Sequence, residues 1–315
     1  MTFKLDHDQL EAQIAATDGL LASLPANDFL GRVGLRARRK EIADRLGSMM
    51  NREDRRAKIA LYFGGEPVIG SMGIEAEFGT NALGSFQDLI SKVWGATDGC
   101  QLSATGPVKD KAASQLHITN LVHGSFGFML EELDETGEPL FETELNKATD
   151  QVAQYITSFA NEDERVFTEL IEEMNPRVFQ SIKQFFSYIY RGKATFRLVE
   201  GERDVSFDQI AIERAWRRAD ESNIDEDKIN IEGLLLGVIP KRRRFEFEPD
   251  EQPKIIEGKV GEEFSQSYLD RISTEQFAGR RWRAMLQRRL IAKPGRMPSE
   301  LYTLLKLEEI QPKAS

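Results

Sequence analysis

The sequence predicts an α+β protein in two parts. A helix-rich N-terminal body with a small antiparallel sheet spans residues 1–225, and a small β-barrel-like module spans residues 226–315. Three observations predict this. Stretches at 5–24, 28–50, 80–96 and 143–192 repeat apolar residues at the spacing of amphipathic helices. Two shorter stretches, 57–78 and 115–133, read as strands punctuated by glycine. From Ile231 onward the pattern turns to alternation and the local charge turns basic.

The totals narrow the class. At 315 residues with 40% hydrophobic and 30% charged residues, the chain can bury a real core and is neither disordered nor membrane-like in composition. Its formal net charge of −10 has the wrong sign for a basic protein that wraps duplex DNA. Cys100 is the single cysteine, so neither an intrachain disulfide nor a cysteine-based zinc site is expected. The first residues show no basic region leading into an apolar run, and no stretch approaches the ~20 apolar residues of a membrane span. A cytoplasmic location follows as the expectation, with no cofactor and no membrane partner.

The first helix carries Leu10, Ile14, Leu21 and Leu24 near helical spacing, with Asp6 or Asp8 to cap its start and Pro25 to end it. The second begins after Asp28, with Phe29, Val33, Ile42, Leu46 and Met49 as its stripe. Its other face holds Arg36, Arg38, Arg39 and Lys40. That is either a solvated face or a patch for phosphate or an acidic partner.

At Ala57 the pattern changes. AKIALYF reads as a strand, GGEP as a tight turn and VIGSMGIEAEF as a second strand. In that strand Glu75 and Glu77 would share one face about 7 Å apart. Either they form the wet face of a half-buried strand or they are an acid/base pair. Thr80 or Asn81 then caps a helix with Leu83, Phe86, Leu89, Ile90, Val93 and Trp94 inward. Residues 97–113 form a polar loop without the glycine–lysine spacing of a phosphate cradle.

QLHITNLV and SFGFMLEEL read as two strands broken at Gly124, or as one strand bulged there. His117 and His123 would lie on the order of 20 Å apart on one straight strand, too far to share a metal. Glu75, Glu77 and His117 are the best acid/base candidates for an enzyme, and no motif places them together.

From 143 to 192 the chain is helical, with caps expected at Asn161 and at Asn175–Pro176 and a stop at Gly192. The aromatic run FFSYIY is core or a groove for a partner helix. A hairpin turns around Gly201, and Ser206 with Gln209 forms a capping box for the helix that follows. The acidic run Asp220–Lys228 marks the preferred domain boundary.

In the C-terminal module Phe245 and Phe247 alternate with Arg244, Glu246 and Glu248, and Trp282, Ala284 and Leu286 alternate with Arg281, Arg283 and Gln287. EEFSQSYLDRIS between them suggests a short helix, and LYTLLKLEEI a last strand. The run from EGLLLGVIPKRRRFEFE onward resembles the small OB- or SH3-like barrels that end many bacterial proteins. The resemblance covers about a quarter of the chain. It implies a scaffold that binds a ligand or nucleic acid, and no particular ligand.

Arg242, Arg243, Arg244, Arg281, Arg283, Arg288 and Arg289, with Lys241 and Arg280, could form one basic face. Residues 231–315 nevertheless carry a surplus of only +3, against −13 for the rest. The alternation turns Phe245 and Trp282 inward, away from a stacking role. The competing expectation pairs these arginines with Glu246, Glu248, Glu262 and Glu263 across strands, or with the acidic N-terminal region.

The functional expectation is a non-enzymatic interaction or assembly subunit of a cytoplasmic bacterial-type multi-component system, with antiviral defence as one setting. Its partner would be another protein, and self-assembly stays open. The alternative is a nucleic-acid-binding protein that uses the basic face.

Overall fold

The structure is a computed structural model. It describes residues 3–25, 28–49, 55–97, 106–122, 126–133, 137, 139–251, 254–269, 279–295 and 297–310. The chain divides into two compact units, Met1–Ala219 and Asp220–Ser315. Helices and sheets are mixed, and no described helix is long and apolar enough to cross a membrane.

The first unit opens with a helical hairpin, α1 (Phe3–Ser23) and α2 (Phe29–Met49). Strand β1 (Lys58–Gly65) follows, then a small hairpin of β2 (Val68–Ile69) and β3 (Gly73–Ile74), then α3 (Ala76–Thr97). Next come β4 (His117–Val122), β5 (Phe126–Glu131), α4 (Glu144–Ala160), α5 (Glu164–Glu173) and α6 (Pro176–Arg191). Strands β6 (Ala194–Glu200) and β7 (Arg203–Phe207) and helix α7 (Gln209–Asp220) complete it. The sheet order is β4-β5-β1-β6-β7, and every pairing in it is antiparallel.

Strand β1 is central and buried on both faces, which is why IALYF reads as an unbroken apolar run. Ala60 and Tyr62 pack with Met129 and Val199 on one face, where Leu5 of α1 joins them. Phe63 meets Phe78 of α3 edge-on at 5.7 Å. Helix α6 buries Phe179, Ile182, Phe185, Phe186 and Ile189, so FFSYIY belongs to the core and offers no groove.

Several boundaries differ from the sequence reading. The stretch 57–78 is not two long strands. After β3 the chain enters α3 at Ala76, because Phe78 extends the Ala82, Phe86, Leu89, Val93 stripe back by one turn. The Gly79 amide donates to the Glu75 carbonyl at 2.8 Å, so the helix is already under way before Thr80. Asp163, not Asn161, caps α5: its carboxylate accepts from the Arg165 amide at 2.9 Å, while Asn161 caps the end of α4. Strand β7 runs on through Ser206, and Asp208 caps α7 by accepting from the Ala211 amide at 2.8 Å. His123, Gly124, residues 98–105 and residues 270–273 of the expected short helix lie outside the described residues.

The second unit is a closed five-stranded barrel. Its strands are β8 (Asn223–Ile239), β9 (Arg244–Pro249), β10 (Ile256–Val260), β11 (Arg281–Ala292) and β12 (Ser299–Glu309). Around the ring the order is β10-β12-β11-β8-β9, and β9 pairs back to β10. The β10–β12 pairing is parallel and the others are antiparallel. Long β8 serves two neighbours: its first part pairs with β11 and its last part with β9, with a register shift between Leu235 and Gly237. A helical turn opens at Gln266, between β10 and β11. The interior is filled by Leu235, Phe245, Phe247, Leu269, Trp282, Leu286 and Leu304 among others. The two units divide at the start of the acidic run Asp220–Lys228, and from Asn223 onward that run is the start of β8.

Candidate docking surface on the barrel

The β8–β9 turn is built from IPKRRR. Pro240 has a fixed φ and no N–H, so it starts a 3-10 turn over Pro240–Arg242. The Arg243 amide closes that turn by donating to the Pro240 carbonyl at 3.1 Å. Arg243 itself takes a left-handed backbone, φ 47°. Its guanidinium turns back to donate to the Gly261 and Phe264 carbonyls, the latter at 3.0 Å. One guanidinium nitrogen, Nη2, thus ties the turn to the segment that follows β10 by two carbonyl bonds. Lys241, Arg242 and Arg244 are left exposed on a fixed loop, beside the half-exposed Ile239. Among the described residues these three cations have no ion-pair partner.

The other expected basic residues are arranged differently. Along β11, Arg283 pairs with Glu232 at 2.6 Å, Arg288 with Asp227 at 2.7 Å and Arg289 with Glu226 at 2.9 Å. Arg281 pairs with Asp250, and Arg280 with Glu309 at 3.2 Å. Each of the three β11–β8 pairs joins residues directly opposite in register. The Arg288 hydrogen bond holds the Asp227 carboxyl below its ordinary range, and the Asp227 and Glu232 carboxylates hold Arg288 and Arg283 above theirs. The arginines do pair with acids, but with those of β8, the β9 end and β12 rather than Glu246, Glu248, Glu262 and Glu263. Two of these acids, Glu226 and Asp227, lie in the acidic run Asp220–Lys228 that the sequence marks as a domain boundary.

The seven candidate arginines therefore do not make one face. Arg242 and Arg244 stay exposed on the turn, Arg243 holds the turn in shape, and Arg281, Arg283, Arg288 and Arg289 form a ladder with carboxylates. Phe245 and Trp282 are buried in the barrel, as their alternation predicts. On the outer surface of β9 and β10, Arg244 stands opposite Lys259 and Glu246 opposite Glu257, with Glu248 further along. That surface is mixed in charge, and its described outward positions carry no aromatic ring.

The enzyme candidates are dispersed. Glu75 precedes α3, Glu77 lies in its exposed first turn, and His117 is exposed at the start of edge strand β4. Two polar clusters escaped the sequence reading because their members are far apart in the chain. Ser181 of α6 accepts from Lys92 Nζ at 2.6 Å and donates to Asp88 at 2.8 Å. Burial pushes the Asp88 carboxyl up, but hydrogen bonds from Lys92 and Ser181 bring it below its ordinary range. Lys92 lies 2.7 Å from Asp88, so its ammonium is spent on that ion pair and cannot act as a base toward Ser181. The cluster ties α3 to α6. The second cluster joins Glu200, Arg203 and Asp150, with Arg203 2.9 Å from each carboxylate. Among the described residues, the one group of metal-type ligand atoms is His7, Asp8 and Glu11, within 4.8 Å of one another on α1. It is a surface cluster in which Lys4 already pairs with Asp8 at 3.3 Å.

No family model, curated protein or solved structure matches this chain.

Proposed function

We propose that this protein is a non-catalytic assembly subunit whose C-terminal barrel docks an acidic segment of a partner protein on the β8–β9 turn. One observation carries the reading: Lys241 and Arg242 on a turn fixed by Arg243, and Arg244 at the start of β9, are exposed and have no ion-pair partner among the described residues, while the β11 arginines are matched by carboxylates. A fixed loop loses little conformational freedom on binding, so its charges count toward affinity. Cys100 as sole cysteine fits a reducing, cytoplasmic setting, and a bacterial-type multi-component system, including one of antiviral defence, is the context we favour.

We further read the barrel as OB-type rather than SH3-like. In favour stand the single parallel pair between third and fifth strands, the long first strand shared by two neighbours, and a helix opening between third and fourth strands. OB barrels bind ligands over strands two and three and the adjoining loops, and the turn between strands one and two is the loop that carries Lys241 and Arg242 here. Nucleic acid is the second reading, favoured by that loop alone. The outer carboxylates Glu246, Glu248 and Glu257 repel a phosphate backbone, and a single-strand groove wants exposed rings.

The test titrates the full chain with an oligo-glutamate peptide and with oligothymidylate at low salt. Peptide binding that disappears in Lys241→Glu/Arg242→Glu/Arg244→Glu but survives in Arg283→Glu supports protein docking. Oligothymidylate binding with a steep salt dependence, weakened in the same triple variant, would move the assignment to nucleic acid. Binding of neither probe would overturn the docking assignment for this turn.

A further inference from the structure

The outer surface of β9 and β10 sets like charges where the opposite side of the barrel sets unlike ones. Between β8 and β11 the residues directly opposite in register include Glu232 and Arg283, Asp227 and Arg288, and Glu226 and Arg289. Between β9 and β10 they are Arg244 and Lys259, and two residues along, Glu246 and Glu257. All four of these side chains are exposed. Like charges directly opposite on one face repel, so both pairs cost the isolated chain some stability. The unlike charges lie further off, about 7 Å along each strand, and offset only part of that cost. Among the described residues Arg244, Glu246 and Glu257 have no ion-pair partner.

Strand β8 adds a third column to this surface. Ile239 stands opposite Arg244, and Gly237 opposite Glu246. Ile239 is 47% exposed, and a Cβ added at Gly237 would meet nothing within 4 Å. The surface thus holds two rows across three strands: Ile239, Arg244 and Lys259 in one, Gly237, Glu246 and Glu257 in the next. On each strand an element of the first row has its complement in the second, an apolar knob beside an open glycine or a cation beside a carboxylate.

That arrangement is complementary to itself. A two-fold axis lying in the surface, between the rows and across the strands, keeps each strand over its own counterpart and exchanges the rows. It sets Arg244 against Glu246, Lys259 against Glu257 and Ile239 over Gly237, each contact occurring twice. Past the two rows, exposed Arg242 lies at the Arg244 end of β9 and exposed Glu248 at the Glu246 end. Off the ends of β10, Glu262 and Glu263 follow Lys259 and Lys254 precedes Glu257, so the signs stay opposed under the same rotation. An acidic peptide would relieve the Arg244–Lys259 repulsion and leave that of Glu246 and Glu257; a basic peptide would do the reverse. A second copy relieves both.

We infer that a second copy of this chain covers this face, barrel against barrel, about that axis. This partner rests on the docking role proposed for the β8–β9 turn, and it names the acidic segment met there as Glu246 and Glu248 of the other copy.

Sedimentation velocity of the full chain at low salt, over a concentration series, tests it. The expected result is a dimer that dissociates on dilution and on addition of salt. Arg244→Glu/Lys259→Glu and Glu246→Lys/Glu257→Lys should each be monomeric, and an equimolar mixture of the two should form the dimer again. All four positions are exposed, so both variants should keep the circular dichroism of the parent. Ile239→Ala leaves every charge in place and should weaken the dimer several-fold. A parent that is monomeric at every concentration, a dimer that persists in both charge variants, or a mixture that stays monomeric would each overturn the second copy. Titration with oligo-glutamate, at a dilution where the chain is monomeric, separates this failure from that of the docking role. A parent that never dimerises but binds the peptide loses the second copy and keeps the turn as a docking site; one that does neither loses both.

Discussion

Arg283 on β11 and Glu232 on β8 are direct cross-strand neighbours whose guanidinium and carboxylate lie 2.6 Å apart. The next pairs along the same ladder, Arg288–Asp227 and Arg289–Glu226, repeat the relationship. These pairs sit at the surface, where each contributes little, but reversing one charge sets like charges opposite each other. Arg283→Glu should lower the thermal midpoint slightly, and Glu232→Arg/Arg283→Glu should recover it. A double variant no more stable than Arg283→Glu alone would show that the pair is not coupled.

Arg243 combines a left-handed backbone with two guanidinium–carbonyl bonds, and the two contributions can be separated. Arg243→Ala loses the bonds and keeps the unfavourable backbone, for an expected loss of about 2–3 kcal/mol. Arg243→Gly loses the same bonds but relieves the backbone, and should be about 1 kcal/mol less destabilising than the alanine. The Arg243→Lys ammonium ends one bond short of the Nη2 that bonds both carbonyls, so that variant should fall near the alanine. Urea unfolding of the three variants gives the order directly; glycine as the worst of the three would mean that the left-handed geometry is wrong.

The sequence was most informative where one residue decides the outcome locally. Asn175–Pro176 and Gly192 set the ends of α6, Gly201 sets the β6–β7 hairpin, and the alternation at Phe245 and Trp282 sets which way the rings face. It misled where a short pattern fits two periods. Ile74, Ala76 and Phe78 alternate like a strand, but Phe78 is also one helical turn before Ala82, and packing against Phe63 selects the helix from Ala76 onward. The basic face was overcounted for a related reason. The carboxylates that match Arg283, Arg288 and Arg289 come from 226–232, 51 to 63 positions away, and only the register of β8 brings them opposite. The ordered turn at Arg243 was hidden because nothing in KRRR distinguishes the one arginine that folds back.

Glu200 makes stability depend on pH. Burial first, and the Asp150 carboxylate second, push its carboxyl from 4.5 up to about 7, while the Arg203 charge pulls it down. Its pKa is thus higher folded than unfolded, so the native state binds the proton more tightly. That contribution is full below the unfolded value and is lost as pH rises through the folded one. At most it is on the order of 3 kcal/mol. The Asp204 carboxyl, held low by its Arg197 hydrogen bond, has the opposite sign, and its contribution disappears only in more acid solution. Between about pH 5 and about pH 8 the urea midpoint should therefore fall, and Glu200→Gln should flatten that fall. Equal slopes in the two proteins would remove Glu200 as the cause.

The closed barrel depends on two glycines that let strands and rings approach. A Cβ on Gly258 of β10 would lie 2.2 Å from the Tyr302 carbonyl oxygen and 2.6 Å from the Phe245 ring. One on Gly233 of β8 would lie 2.1 Å from the Glu248 carbonyl oxygen and 2.7 Å from the Phe247 ring. In both cases a phenylalanine covers the space that a side chain would occupy, and the nearest atom belongs to backbone that cannot rotate away. Gly237 on the same β8 has nothing within 4 Å of that position. Gly258→Ala and Gly233→Ala should each cost about 3 kcal/mol or more, while Gly237→Ala should change stability by about 0.5 kcal/mol or less. Trimming the ring does not remove the carbonyl clash, so Phe245→Leu should fail to rescue Gly258→Ala and should add its own packing loss. Denaturant unfolding of the full chain reads all four variants. A rescued double variant would mean that ring packing, rather than the approach of the β12 backbone, is what requires glycine at 258.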